Sequence, residues 1–246
     1  MSPSKVRAYR KETKRPIYSA ALILPFFLIY HGGILLLRAT YINGADALIM
    51  RILGLFSVHT IFASALVLLA SFIFWQIRSK ASWKLQTSTL LLTYLESCFF
   101  AALLFVLLGW SSYYLASHAP AAVASGPQFR GMRGRGRLVE MVLYCGAGIY
   151  EELLFRGILL GSLILFFSKV FSLKKTGAAI WGTLVASLLF SLFHYIGPGS
   201  DSFAIGSFVQ RFLAGIYFSG LFVWRSFGVA AAAHSLYDIL VGLLHR

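Results

Sequence analysis

Residues 87–115, TSTLLLTYLESCFFAALLFVLLGWSSYYL, form a long apolar run in which Glu96 is the one charged side chain. A helix needs about 20 consecutive apolar residues to cross the hydrocarbon core of a bilayer. The run exceeds that length. It therefore predicts a membrane-spanning helix.

Further apolar runs on either side of this segment have the same character. Together the predicted spans are 17–37, 52–77, 87–115, 139–168, 177–196, 208–225 and 228–244. The whole chain of 246 residues is 59% hydrophobic and 12% charged, with a mean hydropathy of +0.78. About a quarter of the residues are charged in an ordinary soluble domain, so the composition excludes a water-soluble globule. We predict an all-α fold, a polytopic transmembrane bundle of about seven helices.

The polar segments divide the chain into four parts. They are a basic cytoplasmic tail at 1–16, amino-terminal transmembrane helices at 17–116, an Arg- and Gly-rich loop at 117–137 and a carboxyl-terminal helix bundle at 138–246. The net charge of +14 comes from basic residues that lie mostly in the gaps between spans. Such residues set topology and contact lipid headgroups, so no nucleic-acid partner is expected. Their distribution favours a cytoplasmic amino terminus. This orientation would place four arginines on the outer side, which opposes it: Arg130, Arg133, Arg135 and Arg137.

The sequence EELLFR at 151–156 places three ionisable side chains inside a predicted span. Each costs about 2.5–3.5 kcal/mol on insertion scales, so each requires a partner or a function. Glu152 and Arg156 are four residues apart and can pair on one helix face. Glu151 points about 100° away and has no partner on its own helix.

Other helices supply candidate partners for Glu151. His194 ends the sequence FSLFH at 190–194, and HSLYD at 234–238 places His234 and Asp238 four residues apart. These groups could activate a water for attack on a peptide carbonyl, bind a divalent metal, or form a proton relay in a transporter. By contrast, we interpret the intramembrane histidines His31 and His59 as interhelical hydrogen-bonding groups.

The three motifs EExxxR, FxxxH and HxxxD occur in this order about 40 residues apart, which resembles the CPBP family of CAAX proteases and bacteriocin-processing enzymes, also called the Abi family. The resemblance covers 139–244 and implies an intramembrane endopeptidase with a catalytic helix bundle at 138–246. It implies that Glu151 and His194 activate the attacking water and that His234 and Asp238 stabilise the oxyanion. The supporting residues Glu152, Arg156 and Phe190 complete the motifs.

One position departs from the family pattern, because Asp238 stands where eukaryotic-type members have Asn. An ionised Asp cannot donate a hydrogen bond to an oxyanion. Asp238 must therefore be protonated, orient His234, or bind a metal. Zinc is the metal to consider, with Glu151, His194, His234 and Asp238 as its ligands, although a glutamate base would have to remain uncoordinated. No other cofactor is expected.

The resemblance also implies partners and a location. We expect a membrane protein or lipidated peptide as substrate and the lipid bilayer as the surroundings. We expect an integral, multi-pass protein of a bacterial inner membrane. The alternative function is a transporter, or a scaffold or immunity partner, that uses the same buried Glu and His residues without proteolysis.

Overall fold

The computed structural model describes residues 2–38, 42–58, 62–118, 136–197 and 200–244, and these ranges contain helices and no strand. The first half contains α1 (Pro3–Thr13), α2 (Pro16–Leu36), α3 (Gly44–Gly54), α4 (Ala63–Ser79) and α5 (Thr87–His118). The second half contains α6 (Arg137–Glu152), a π-helical segment (Leu153–Leu160), α7 (Gly161–Val170), α8 (Lys175–Phe193), α9 (Ile205–Trp224) and α10 (Phe227–Leu244). Arg130, Arg133, Arg135 and His59 lie outside the described residues.

Six helical stretches in the described ranges are long and apolar enough to cross a membrane. They are Pro16–Leu36, Thr87–Tyr114, Arg137–Val170, Lys175–Phe193, Ile205–Trp224 and Phe227–Leu244. The shorter apolar helix α4 adds 17 residues, about 26 Å of helix. The predicted fold class, an all-helical multi-pass bundle, is confirmed.

The apolar run 52–77 does not form one continuous helix. α3 ends at Gly54, and Ser57 takes a left-handed backbone conformation with φ of 62°. α4 begins at Ala63. Hydropathy does not reveal this break, because the residues around it are themselves apolar. As a consequence, α3 is a separate short helix that packs against α4 and α6.

Small residues allow α6 and α10 to approach closely. The sequence from Val229 to Ala233 on α10 is fully buried. Opposite it, a Cβ placed on Gly148 of α6 would lie 2.5 Å from the backbone nitrogen of Ser235 and 2.7 Å from the carbonyl oxygen of Ala231. Only glycine fits at such a contact. Small residues at helix interfaces are the usual means of close packing in membranes.

Polar contacts help to connect the amino-terminal helices to the rest of the bundle. His31 of α2 hydrogen-bonds to the Tyr150 hydroxyl of α6 at 2.8 Å, which agrees with the interhelical role predicted for it. Glu96 of α5 pairs with Arg225, which lies between α9 and α10. Burial raises the pKa of Tyr9 to about 12, so its hydroxyl stays protonated and donates to Glu96 at 2.8 Å.

We predict that Gly148→Ala destabilises the protein by about 1–3 kcal/mol, because the new methyl group would force α6 and α10 apart. Thermal unfolding of the detergent-purified protein measures the effect. Gly161→Ala is the matched control, since a Cβ there meets nothing within 4 Å. Equal melting temperatures for the two variants would contradict the close packing of α6 and α10.

Candidate active site

The two adjacent glutamates of the EELLFR sequence lie at the end of α6, where the backbone changes to the π-helical segment. π-helical turns are rare and occur frequently at functional sites. Both Glu151 and Glu152 are buried, and each has its own set of partners. The two carboxylates therefore have to be considered separately.

Glu152 is at the centre of a fully buried charged cluster. Its Oε1 lies 2.8 Å from Nη1 of Arg156 and 2.8 Å from Nδ1 of His234. Nη2 of Arg156 also donates to the carbonyl oxygen of Gly215 on α9 at 3.2 Å. The Glu152 and Arg156 side chains are 0% and 1% exposed. The predicted pairing within the motif is present, and it extends to α9 and α10.

Two phenylalanines pack around this cluster. The Arg156 guanidinium lies 4.4 Å from the ring centroid of Phe190 and 5.5 Å from that of Phe218. Phe218 also stacks on the His234 imidazole, with centroids 4.4 Å apart and an interplanar angle of 16°. Phe190 contacts His194 edge-on at 5.0 Å. These aromatic faces stabilise the buried cation and restrict both imidazole rings.

Glu151 faces the two histidines. Its Oε2 lies 3.9 Å from Nε2 of His194 and 3.9 Å from Nε2 of His234. The Glu151 side chain is 8% exposed, whereas that of His194 is 24% exposed. One carboxylate oxygen thus faces two imidazoles that come from other parts of the bundle. The site is most accessible at His194.

Hydrogen bonds on the Nδ1 atoms determine which imidazole nitrogen faces Glu151. Nδ1 of His194 lies 2.9 Å from the carbonyl oxygen of Phe190, which can only accept, so this nitrogen carries a proton. Nδ1 of His234 faces the Glu152 carboxylate in the same way. In both residues Nε2 is therefore the nitrogen available for chemistry.

Asp238 lies one turn after His234 on α10. Its Oδ2 is 3.6 Å from Nε2 of His234, the same nitrogen that faces Glu151. The group bonded to the opposite nitrogen, Nδ1, is Glu152. Glu152 therefore makes the contact that orients the His234 ring. Asp238 lies beside Nε2, the nitrogen that faces Glu151.

All seven sequence-predicted residues come together in this cluster. They are Glu151, Glu152, Arg156, Phe190, His194, His234 and Asp238. Sequence reasoning missed Phe218 and Asn43. Nδ2 of Asn43 donates to Oε1 of Glu151 at 3.0 Å. An Asn immediately before a helix is a recognised amino-terminal capping signal, but that signal does not reveal a contact with Glu151. Phe218 gives no signal in an apolar helix.

The candidate zinc ligands are further apart than the donor atoms around a zinc ion. Among the described residues, no group of three or more His, Cys, Asp and Glu side chains is placed to hold one. Ligand atoms around a tetrahedral zinc at roughly 2.0–2.1 Å would be about 3.3 Å apart. Glu151 and its two histidines are separated by 3.9 Å. The donor types suit zinc, but their spacing does not.

Comparison with known families identifies the segment that contains this site. Residues 137–240 match the family model described as type II CAAX prenyl endopeptidase Rce1-like. This segment of the chain is similar to the Rce1-like family. The match confirms the CAAX-protease resemblance expected from the three motifs, and all seven predicted site residues lie inside it. No curated protein and no solved structure matches the chain.

We predict that Arg156→Met destabilises the protein by about 3–5 kcal/mol, because it leaves the buried Glu152 carboxylate without its cation. Chemical unfolding in detergent micelles measures the loss. The paired variant Glu152→Gln with Arg156→Met should recover part of it, since no uncompensated charge remains. If the single and paired variants were equally unstable, the loss would not come from the unpaired carboxylate.

Proposed function

We propose that the protein is an intramembrane endopeptidase that hydrolyses a peptide bond in a membrane-associated protein or lipidated peptide. The Rce1-like match indicates a membrane-embedded peptidase of the CAAX type. One observation carries the catalytic proposal: Oε2 of Glu151 is 3.9 Å from the Nε2 atoms of both His194 and His234. That spacing supports an activated water as the nucleophile.

The spacing between Glu151 and His194 suits a bridging water molecule. Hydrogen bonds of roughly 2.8 Å to each atom would place a water between two groups 3.9 Å apart, with an angle close to 90° at its oxygen. Glu151 and the unprotonated Nε2 of His194 are both acceptors. Both hydrogens of the water would be engaged, and an oxygen lone pair would point towards the substrate.

Glu151 then acts as the general base. It takes one proton from the water as the oxygen attacks the peptide carbonyl carbon, and a tetrahedral intermediate forms. The carbon–nitrogen bond breaks when Glu151 returns that proton to the leaving amine. The products are a new carboxyl terminus and a new amino terminus, and Glu151 is regenerated as a carboxylate.

His234 and Asp238 provide the proposed oxyanion site. Nε2 of His234 can donate when the imidazole carries both protons, because Nδ1 already donates to Glu152. Asp238 can donate when its carboxyl group is protonated. Donors fixed before the reaction, in a site that excludes water, are the main source of oxyanion stabilisation. Glu152, Arg156 and Phe190 keep His234 in place.

We further propose that this chemistry needs no metal ion. Glu151 must remain uncoordinated to accept a proton, and its second oxygen already accepts a hydrogen bond from Asn43. This contact supports the role of Glu151 as an uncoordinated base.

We also propose a class of substrate and an orientation in the membrane. A lipid anchor would bring a peptide to the bilayer, where a site between membrane helices can reach it. We propose a bacterial inner-membrane location with the amino terminus in the cytoplasm, because basic residues are concentrated in the segments that this orientation places inside.

We predict that Glu151→Gln lowers proteolysis at least 100-fold, because an amide of the same shape cannot accept the proton. Mass spectrometry of protein termini in membranes from expressing cells measures this without assuming a substrate. Glu140→Gln is the matched control, since it changes another carboxylate of α6. New termini with the wild type and Glu140→Gln, but not with Glu151→Gln, are expected. Identical termini in all three would favour a transporter or scaffold.

We predict that chelation leaves proteolysis unchanged. The purified protein, treated with 1,10-phenanthroline and dialysed, should contain no stoichiometric zinc and should cleave the substrate found by terminus analysis at the untreated rate. Loss of activity on chelation and its return with added zinc would overturn the metal-independent mechanism.

A further inference from the structure

We infer that Asn43 is a positioning residue that holds the Glu151 carboxylate in its reactive orientation. Asn43 lies in the amino-terminal half of the chain, outside the segment 137–240 that matches the family model. The inference rests on the proposed function of Glu151 as general base. It extends the site to a part of the chain in which the sequence motifs indicate no chemistry.

The hydrogen bonds of Asn43 fix the orientation of its amide group. Its Oδ1 accepts from the backbone nitrogen of Ala45 at 2.8 Å, as an amino-terminal cap of α3. Its Nδ2 must then face Oε1 of Glu151, to which it donates at 3.0 Å. Reversing the amide would lose both bonds. Asn43 is 5% exposed, so water does not readily replace either partner.

The backbone of Asn43 is also held in place. Its nitrogen donates to the Tyr30 hydroxyl at 3.0 Å, and that hydroxyl donates to Oδ2 of Asp46 at 2.7 Å. Tyr30 is fully buried on α2, and Asp46 lies in the first turn of α3. Helices α2 and α3 together therefore fix the position of the amide that contacts Glu151.

This contact distinguishes the two oxygens of Glu151. Oε1 is occupied by Asn43, and Oε2 faces the two histidines at 3.9 Å. The terminal torsion of a glutamate has a broad preference, so a carboxylate without this contact would take a wider range of orientations. Rotation would move the reactive oxygen away from the water, and misplacement of about 1 Å can cost about 100-fold in rate.

The neutral charge of Asn43 suits this role. A Lys or Arg at the same position would hold the carboxylate with a permanent cation, as Arg156 holds Glu152. An amide orients the oxygen but adds no charge beside the base. Asn43 thus fixes the geometry and leaves Glu151 free to accept a proton.

Two substitutions separate positioning from helix capping. Asn43→Ser and Asn43→Thr both keep a hydroxyl cap for α3 and add no charge beside Glu151, but neither carries the amide donor that reaches Glu151. We expect each to lower kcat about 10- to 100-fold, with KM and melting temperature close to those of the wild type. Asn43→Ala, which also loses the cap, should lower the melting temperature in addition to kcat.

The kinetics are measured in liposomes with the purified full-length protein, on a peptide that spans the cleavage site found by terminus analysis. Wild-type kcat in both Asn43→Ser and Asn43→Thr would overturn the inference and leave the proposed function intact. If the wild type produces no new termini, the proposed function fails, and the inference fails with it. If kcat fell together with the melting temperature in all three variants, the role of Asn43 would be that of a helix cap, and the inference would be wrong.

Discussion

The buried pair between Glu152 and Arg156 is the constraint on which the site depends. Both side chains are almost completely inaccessible, and removing two charges from water costs several kcal/mol per ion. The partners of the pair offset part of this cost, and Oε2 of Glu152 and Nε of Arg156 have no hydrogen-bond partner among the described residues. Those partners come from different helices: His234 from α10, the Gly215 carbonyl from α9 and the Phe190 ring from α8. The contacts of one ion pair thus tie three helices to α6.

The same constraint explains the small residues in the bundle. Glu152 can reach His234 only if α6 and α10 are close together, and Gly148 opposite Ser235 permits that distance. The Gly215 carbonyl can reach Arg156 only if α9 is close, and a Cβ at Gly215 would meet the Ser187 side chain at 2.8 Å. Glycine is therefore needed at both contacts for steric reasons. Because the glycines stand at the level of the charged cluster, packing and electrostatics fix the same geometry.

Contacts between residues of one helix can be predicted from their spacing in the sequence. Residues four apart share a helix face, so the contacts of Glu152 with Arg156 and of His234 with Asp238 follow from the sequence. The cost of buried charge also indicates that Glu151 needs partners on other helices. Contacts that depend on tertiary packing carry no such signal. The Asn43 amide comes from the residue before α3 and the Phe218 ring from α9, and hydropathy does not specify the position of either helix. The break near Ser57 lies in apolar sequence.

Two adjacent carboxylates can serve different purposes because their partners differ. Glu152 contacts a permanent cation and an imidazole nitrogen, both of which lie 2.8 Å from its Oε1. Glu151 has one oxygen bound by a neutral amide and the other beside two imidazoles. A general base needs this second arrangement, because one oxygen must be able to gain and lose a proton while the side chain stays in place. Helix α6 presents both kinds of carboxylate from neighbouring positions, because consecutive residues point about 100° apart and contact different helices.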